Sequence, residues 1–242
     1  MTARKVNPEP VEFRAVLESA ARLQRLVPDA VLVGGSAAAL HAGHRLSTDH
    51  DHTLADLASR FEAVLDAVEN DEGWATNRIT PGKVILGNLD GIETGIRQLI
   101  RKRPLETELI ELPSGATLRA PTEDEALRIK AFLVVRRNQT RDYLDCAALA
   151  DHLGAPRASQ ILSEIDHYYA DQIGDGDGVA TQVARQFAEP KPADANVTKQ
   201  LRHYKGIVAN WADWRAVRAV LAEVAAEMVQ PTAATAPEAC QP

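Results

Sequence analysis

Apolar side chains recur at helical spacing from near the start of the chain: Val11, Phe13, Val16, Leu17, Ala20, Leu23 and Leu26 share one face, with Pro10 before them and Pro28 after. The spacing predicts an amphipathic packing helix. Residues 30–33 form an apolar run stopped by Gly34-Gly35, too short for a helix, and read as a buried strand. A short alanine-rich helix is predicted over residues 36–42, ending near Gly43, followed by an extended segment carrying Asp49 and Asp51. Leu54, Leu57, Phe61, Leu65 and Val68 then predict a second amphipathic helix.

The pattern next shifts toward a period of two. Residues 76–80 and 83–86 predict strands joined across Pro81-Gly82, and Asp90-Gly91 predicts another hairpin leading into a strand over 92–100. Along it Ile92, Thr94 and Ile96 alternate with Glu93, Gly95 and Arg97. With a further strand over 105–112, the middle of the chain reads as a mostly antiparallel sheet. Thr122 followed by Glu125 is a capping-box signature opening a helix, and Asn138-Gln139 breaks it before a second helix over 141–153. Ile161, Ile165, Tyr168 and Tyr169 predict a third helix, residues 179–187 a fourth, and Trp211, Trp214, Val217, Val220, Leu221 and Val224 a last long one. Residues 231–242 have the composition of a disordered tail.

Composition narrows the class. The chain has 242 residues, 45% of them hydrophobic and 25% charged, as in an ordinary soluble protein. It has neither a run of eighteen apolar residues nor a signal-like N-terminus, and Cys146 and Cys240 offer no disulfide framework, so a cytoplasmic protein is expected. The formal charge of −7 argues against a surface wholly given to nucleic acid, although basic residues outnumber acidic ones from 83 to 141.

The chemistry concentrates early. Gly34-Gly35-Ser36, where a strand opens into a helix, places backbone N–H groups and the positive end of the helix dipole where an anion could sit. Asp49 and Asp51 alternate to one face of an extended segment and suit one or two hard cations such as magnesium. His41, His44, His50 and His52 lie nearby and raise a rival transition-metal hydrolase site, but alternation points His50 and His52 away from the aspartates. The run Gly174-Asp175-Gly176-Asp177-Gly178 lacks the ligand spacing of a calcium loop and reads as a turn.

Gly35-Ser36, twelve residues, then Asp49-x-Asp51 resembles the GS…DxD signature of the nucleotidyltransferase superfamily. The fuller pattern, with Gly43-His44-Arg45-x-Ser47 between and Lys130, Arg136-Arg137 and Arg141-Asp142-x-x-Asp145 downstream, is similar to the AbiEii/AbiGii toxin branch. The resemblance covers roughly residues 31–153 and implies an α/β fold: a polymerase β-like mixed sheet flanked by helices, followed by a helical C-terminal region. The corresponding division is a core over 1–120, a helical domain over 121–230 that completes the cleft, and the tail. It implies that Asp49 and Asp51 hold Mg²⁺, that Gly35 and Ser36 contact phosphate, and that Ser47 lies beside the metal. Lys130 and Arg137 would neutralise the triphosphate, and Asp142 would orient Lys130 or act as base. The superfamily's third carboxylate falls here on Gly95, so Glu93 or Asp142 would supply it. The implied activity is transfer of a nucleoside monophosphate from an NTP to an acceptor hydroxyl, on a tRNA 3′ end or a protein side chain. The branch implies the toxin of a toxin–antitoxin pair, with a cognate antitoxin as partner and no membrane. The alternatives are a non-catalytic nucleotide- or partner-binding module and, further off, the metal-dependent hydrolase.

Overall fold

The structure, a computed structural model, describes residues 3–8 and 10–229, so the segment read as a tail lies outside the described residues. A two-residue strand β1 (Arg4–Lys5) precedes helix α1 (Val11–Leu26), which buries Phe13, Val16, Leu17, Ala20 and Leu23 as its spacing requires. Strand β2 (Val31–Val33) runs directly into α2 (Gly34–Ala42), and Gly43 closes α2 in the left-handed conformation at φ 59°. Strand β3 (His50–Leu54) and helix α3 (Phe61–Glu69) follow. The helix expected from Leu54 begins only at Phe61. Leu54 ends β3, paired with Gln98, and Leu57 is fully buried in the intervening turn, so both join the core without being helical.

Strands β4 (Trp74–Thr80), β5 (Val84–Leu89) and β6 (Ile92–Gln98) form two successive hairpins. Their turns use Gly82 at φ 70° and Asp90-Gly91 at φ 51° and 87°. The five-stranded sheet has the order β2-β3-β6-β5-β4; β3 and β6 are parallel and the other neighbours antiparallel. Strand β7 (Thr107–Glu111) does not extend this sheet. It pairs with β1 and with β8 (Thr117–Pro121), a strand the sequence pattern did not reveal, in a separate three-stranded sheet. Pro121 is tolerated because it ends β8 beside the cap of the next helix.

Helix α4 (Glu123–Arg137) starts at Thr122, whose side chain accepts a hydrogen bond from the Glu125 amide at 3.3 Å. Only half of the capping box forms, because the Thr122 amide donates to Glu106 O and the Glu125 carboxylate pairs with Arg101 and Arg128. Asn138, at φ 50°, ends α4, and α5 (Thr140–Leu153) follows. The third predicted helix is two, α6 (Ala155–Ser163) and α7 (Ile165–Tyr168), before α8 (Val179–Ala188) and α9 (Trp214–Val229). Trp211 lies in a 3₁₀ turn ahead of α9 and still packs in the core. These helices share a core with Ala38 of α2, and that contact sets the helical part against the strand-to-helix turn at Gly34.

Candidate functional site

A cleft of about 460 Å³ opens between the five-stranded sheet, α4 and the chain around Tyr204. One half is polar. Val33, Gly34 and Gly35 line it where β2 becomes α2; Gly34 is at φ 75° and no side chain caps α2, so its first N–H groups face no competing acceptor of that kind. Gly35 is crowded: a Cβ there would lie 2.6 Å from Arg45 Nη2 and 2.8 Å from Ser47 Oγ, so both side chains would have to shift. Asp49 and Asp51 line the same half. Ser47 Oγ donates to Asp49 Oδ1 at 2.9 Å, and buried Ser36 donates to the Asp49 carbonyl at 2.5 Å, so Ser36 fixes the loop before β3. Arg97 Nε reaches Asp51 Oδ1 at 3.4 Å.

Lys130 and Arg137, seven residues apart on α4, line the opposite wall. Lys130 Nζ lies 2.7 Å from Asp145 Oδ2 and 3.8 Å from Asp142 Oδ1, and Arg137 Nη2 lies 2.7 Å from Asp142 Oδ1. The two aspartates stand three apart on α5, hence on one face, and both are fully buried. Asp142 does not line the cleft; it sits behind Arg137, in a position to orient cations and not to meet a substrate hydroxyl. Asp145 is the hub. It accepts from Arg45 Nε at 2.9 Å and Nη2 at 3.1 Å and from His44 Nε2 at 2.8 Å. Burial alone would raise its pKa, but Arg45, Lys130 and His44 together overcome that and hold it well below the usual 3.8. The expectation that Asp142 orients Lys130 meets a pair at 3.8 Å, and Asp145, one helical turn on and with no role expected of it, lies closer at 2.7 Å.

Glu93 is exposed, opposite Asn88 in the hairpin, and does not line the cleft. Among the described residues no third His, Cys, Asp or Glu joins Asp49 and Asp51 in a metal-sized group. Gly95 lies opposite Asp51 in the parallel ladder, so close that a Cβ there would require the Asp51 carboxylate to shift. Arg45 and Arg141, from the two motif patterns, complete the polar side of the cleft with Tyr204 and Lys205, which no motif marked; Leu99, Ile100, Leu105, Ile129 and Leu133 form an apolar side. The Leu46 amide donates to the Lys205 carbonyl at 2.8 Å, which draws the C-terminal segment to the cleft. Arg141 and Lys205 have no carboxylate partner among the described residues.

His44 belongs to the Asp145 cluster, whereas His50 and His52 face away from the cleft. His50 Nε2 meets Ser19 Oγ at 3.0 Å and Thr94 Oγ1 at 3.1 Å, and His52 is wholly buried beside it. Burial pushes His44 below its usual 6.5, His50 down to about 4 and His52 well below 6.5. These imidazoles stay neutral in the fold, whereas in the unfolded chain they take up protons below about pH 6.5. Stability is therefore fully present above that pH and falls as the pH drops toward the lowered values. Urea midpoints are expected to decline from pH 7 to pH 5, and His44→Gln should flatten that decline; a midpoint independent of pH over this range would contradict the assignment.

The chain has the nucleotidyltransferase fold. A candidate nucleotidyltransferase from H. pylori superposes with a TM-score of 0.50 over 90% of this chain and 93% of that one, at 15% identity. The antibiotic-resistance factor ANT(2″)-Ia superposes with a TM-score of 0.48 over 68% of this chain and 96% of its own, at 12% identity. No protein-family model matches the sequence. The heme uptake protein MmpL11 of Mycobacterium tuberculosis H37Rv is 30% identical over 215 residues, 77% of this chain and 20% of that protein. The mycolic acid-containing lipids exporter MmpL11 of Mycolicibacterium smegmatis is 26% identical over 238 residues, 93% of this chain and 22% of that protein. The chain thus spans about a fifth of the length of these curated relatives, and their named transport roles carry no function to it. No helix among the described residues is long and apolar enough to cross a membrane.

Proposed function

We propose that the protein is a nucleotidyltransferase that moves a nucleoside monophosphate from an NTP to an acceptor hydroxyl. The observation that carries this reading is the convergence, in one cleft, of the uncapped Gly34–Gly35 turn, the Asp49/Asp51 pair and Lys130. Two carboxylates suit Mg²⁺, which keeps several waters and takes its remaining ligands from substrate phosphate. The hydrogen bonds from Ser47 and Arg97 engage Oδ1 of each and leave Oδ2 for a cation, so the donor set fits. When bound, the ion would supply charge to the reacting phosphate oxygens. The chain's own residues do the rest. The α2 N-terminus cradles phosphate, Ser47 holds the Asp49 carboxylate in place, and Lys130 and Arg137 absorb charge on the departing pyrophosphate. Asp145 holds Lys130 and Arg45 in place, and Asp142 holds Arg137.

The finer reading takes the protein as an AbiEii/AbiGii-like cytoplasmic toxin with a cognate antitoxin. Its acceptor would be a tRNA 3′ end or a protein side chain; the unpaired Arg141 and Lys205 in the cleft favour the polyanion. One observation favours the non-catalytic module instead: Gly95 stands where a third acid is common, and Arg97 already occupies Asp51. Incubation of the full chain with each labelled NTP, Mg²⁺ and either total tRNA or total protein separates these readings. Label transfer that disappears with Asp49→Ala and Asp51→Ala supports the transferase. Nucleotide binding without transfer supports the module, and manganese-, zinc- or iron-dependent hydrolysis without transfer supports the hydrolase.

A further inference from the structure

The reaction proposed above uses only the polar half of the cleft. The other half is a wall of Ile129 and Leu133 from α4 and Leu99, Ile100 and Leu105 from the segment after β6. All five keep exposed surface, Ile100 as much as 54%, although they line a cleft otherwise rich in ions. Ile129 and Leu133 flank Lys130 on the same helix, so the wall begins within about one helical turn, roughly 5 Å along the axis, of the phosphate-side lysine.

Several of the hydrogen-bonding groups along the wall are already engaged. Gln98 Nε2 donates to the carbonyls of Ala55 at 2.8 Å and Leu99 at 3.1 Å, and its Oε1 accepts from the Ala58 amide at 2.8 Å. Thr53 Oγ1 donates to the Arg97 carbonyl at 3.1 Å. In the loop, the Leu99 amide donates to Leu54 O at 2.7 Å and the Ile100 carbonyl accepts from Gln172 Nε2 at 2.8 Å. Arg101 takes the carbonyls of Arg103 at 2.9 Å and Pro104 at 3.0 Å. Such a surface offers contact area but little donor and acceptor pattern to distinguish one heterocycle from another.

We infer that this wall holds the nucleobase of the NTP by apolar contact and does not select among the four bases. The inference rests on the nucleotide reading of the polar half. A pocket that reads by shape alone separates near-isosteres by about 10²-fold, whereas one built to hydrogen-bond its ligand does so by about 10⁴–10⁵-fold.

The test is competition for a fluorescent NTP analogue on the full chain with Mg²⁺, using ATP, GTP, CTP, UTP and tripolyphosphate. The four NTPs are expected to fall within about 100-fold of one another, purines ahead of pyrimidines because they bury more surface, with tripolyphosphate weaker than all four. Ile100→Ser, on an exposed loop position, should weaken the four NTPs by a similar factor of about ten and leave tripolyphosphate unchanged; Leu133→Ser repeats the test from the helix side, with urea midpoints reporting folding. A preference above about 10³-fold for one base exceeds what shape alone supplies and overturns the inference. So does equal binding of NTPs and tripolyphosphate, which leaves the nucleotide reading intact. If none of the five binds, the nucleotide reading fails and the inference with it.

Discussion

Asp51→Ala is expected to lower nucleotide transfer by about 10³-fold or more, and Asp49→Ala to do the same, because on the proposed reading each removes an oxygen donor from the pair that would hold the cation. A cation at the reacting phosphate supplies several kcal/mol of transition-state stabilisation, and each 1.36 kcal/mol is about tenfold in rate. The fold should hardly notice. The Asp51 and Arg97 side chains are 32% and 50% exposed at 3.4 Å, and exposed pairs of this kind are worth about 1 kcal/mol or less. Single-turnover transfer rates measured beside urea midpoints decide the matter: a large rate loss at an unchanged midpoint is the expected result. Transfer within tenfold of the parent in both variants would remove the pair from the catalytic set.

Asp145→Asn has the opposite signature. The substitution preserves shape but leaves Arg45, Lys130 and His44 around a neutral amide, in a site where Asp145 is fully buried. Removing one partner from a buried ionic cluster costs about 3–5 kcal/mol, so the unfolding midpoint should fall sharply and transfer should fall with it as Lys130 loses its anchor. Asp142→Asn should cost less, since Arg137 is 36% exposed and water can replace the lost partner. The acid limb gives an independent check. The Asp145 carboxyl is held well below its usual 3.8, so its contribution is present above about that pH and is lost as the pH falls through the lowered value. Asp145→Asn should lack that component below about pH 4. Equal stability of the Asp145→Asn variant and the parent would show that the hub does not hold the cleft together.

The two sets of residues differ in how they could be read. Helices α1, α4 and α5 follow from apolar periodicity with clear punctuation: Pro10 and Pro28, Thr122, and Asn138-Gln139. The β4–β5–β6 hairpins follow from Pro81-Gly82 and Asp90-Gly91 in the same way. Strand β8 was not legible, because Pro113-Ser114-Gly115 looked terminal and pairing with β7 is what makes residues 117–121 extended. The onset of α3 was misplaced because Leu54 and Leu57 are core residues whichever backbone carries them.

By itself the sequence determined local features of the cleft: the glycines that open α2, the aspartate pair at the start of β3, and a lysine on a capped helix. These depend on backbone rules acting over a few residues, so their spacing survives in one dimension. Only the tertiary structure decided which acid anchors Lys130, that Glu93 stays outside, and that Gly95 meets Asp51. Those outcomes rest on parallel pairing of β3 with β6 and on packing of α5 against α4. It also brought Tyr204 and Lys205 to the cleft and exposed its apolar wall. Contacts across a hundred or more residues depend on chain closure and shape, which no local pattern encodes.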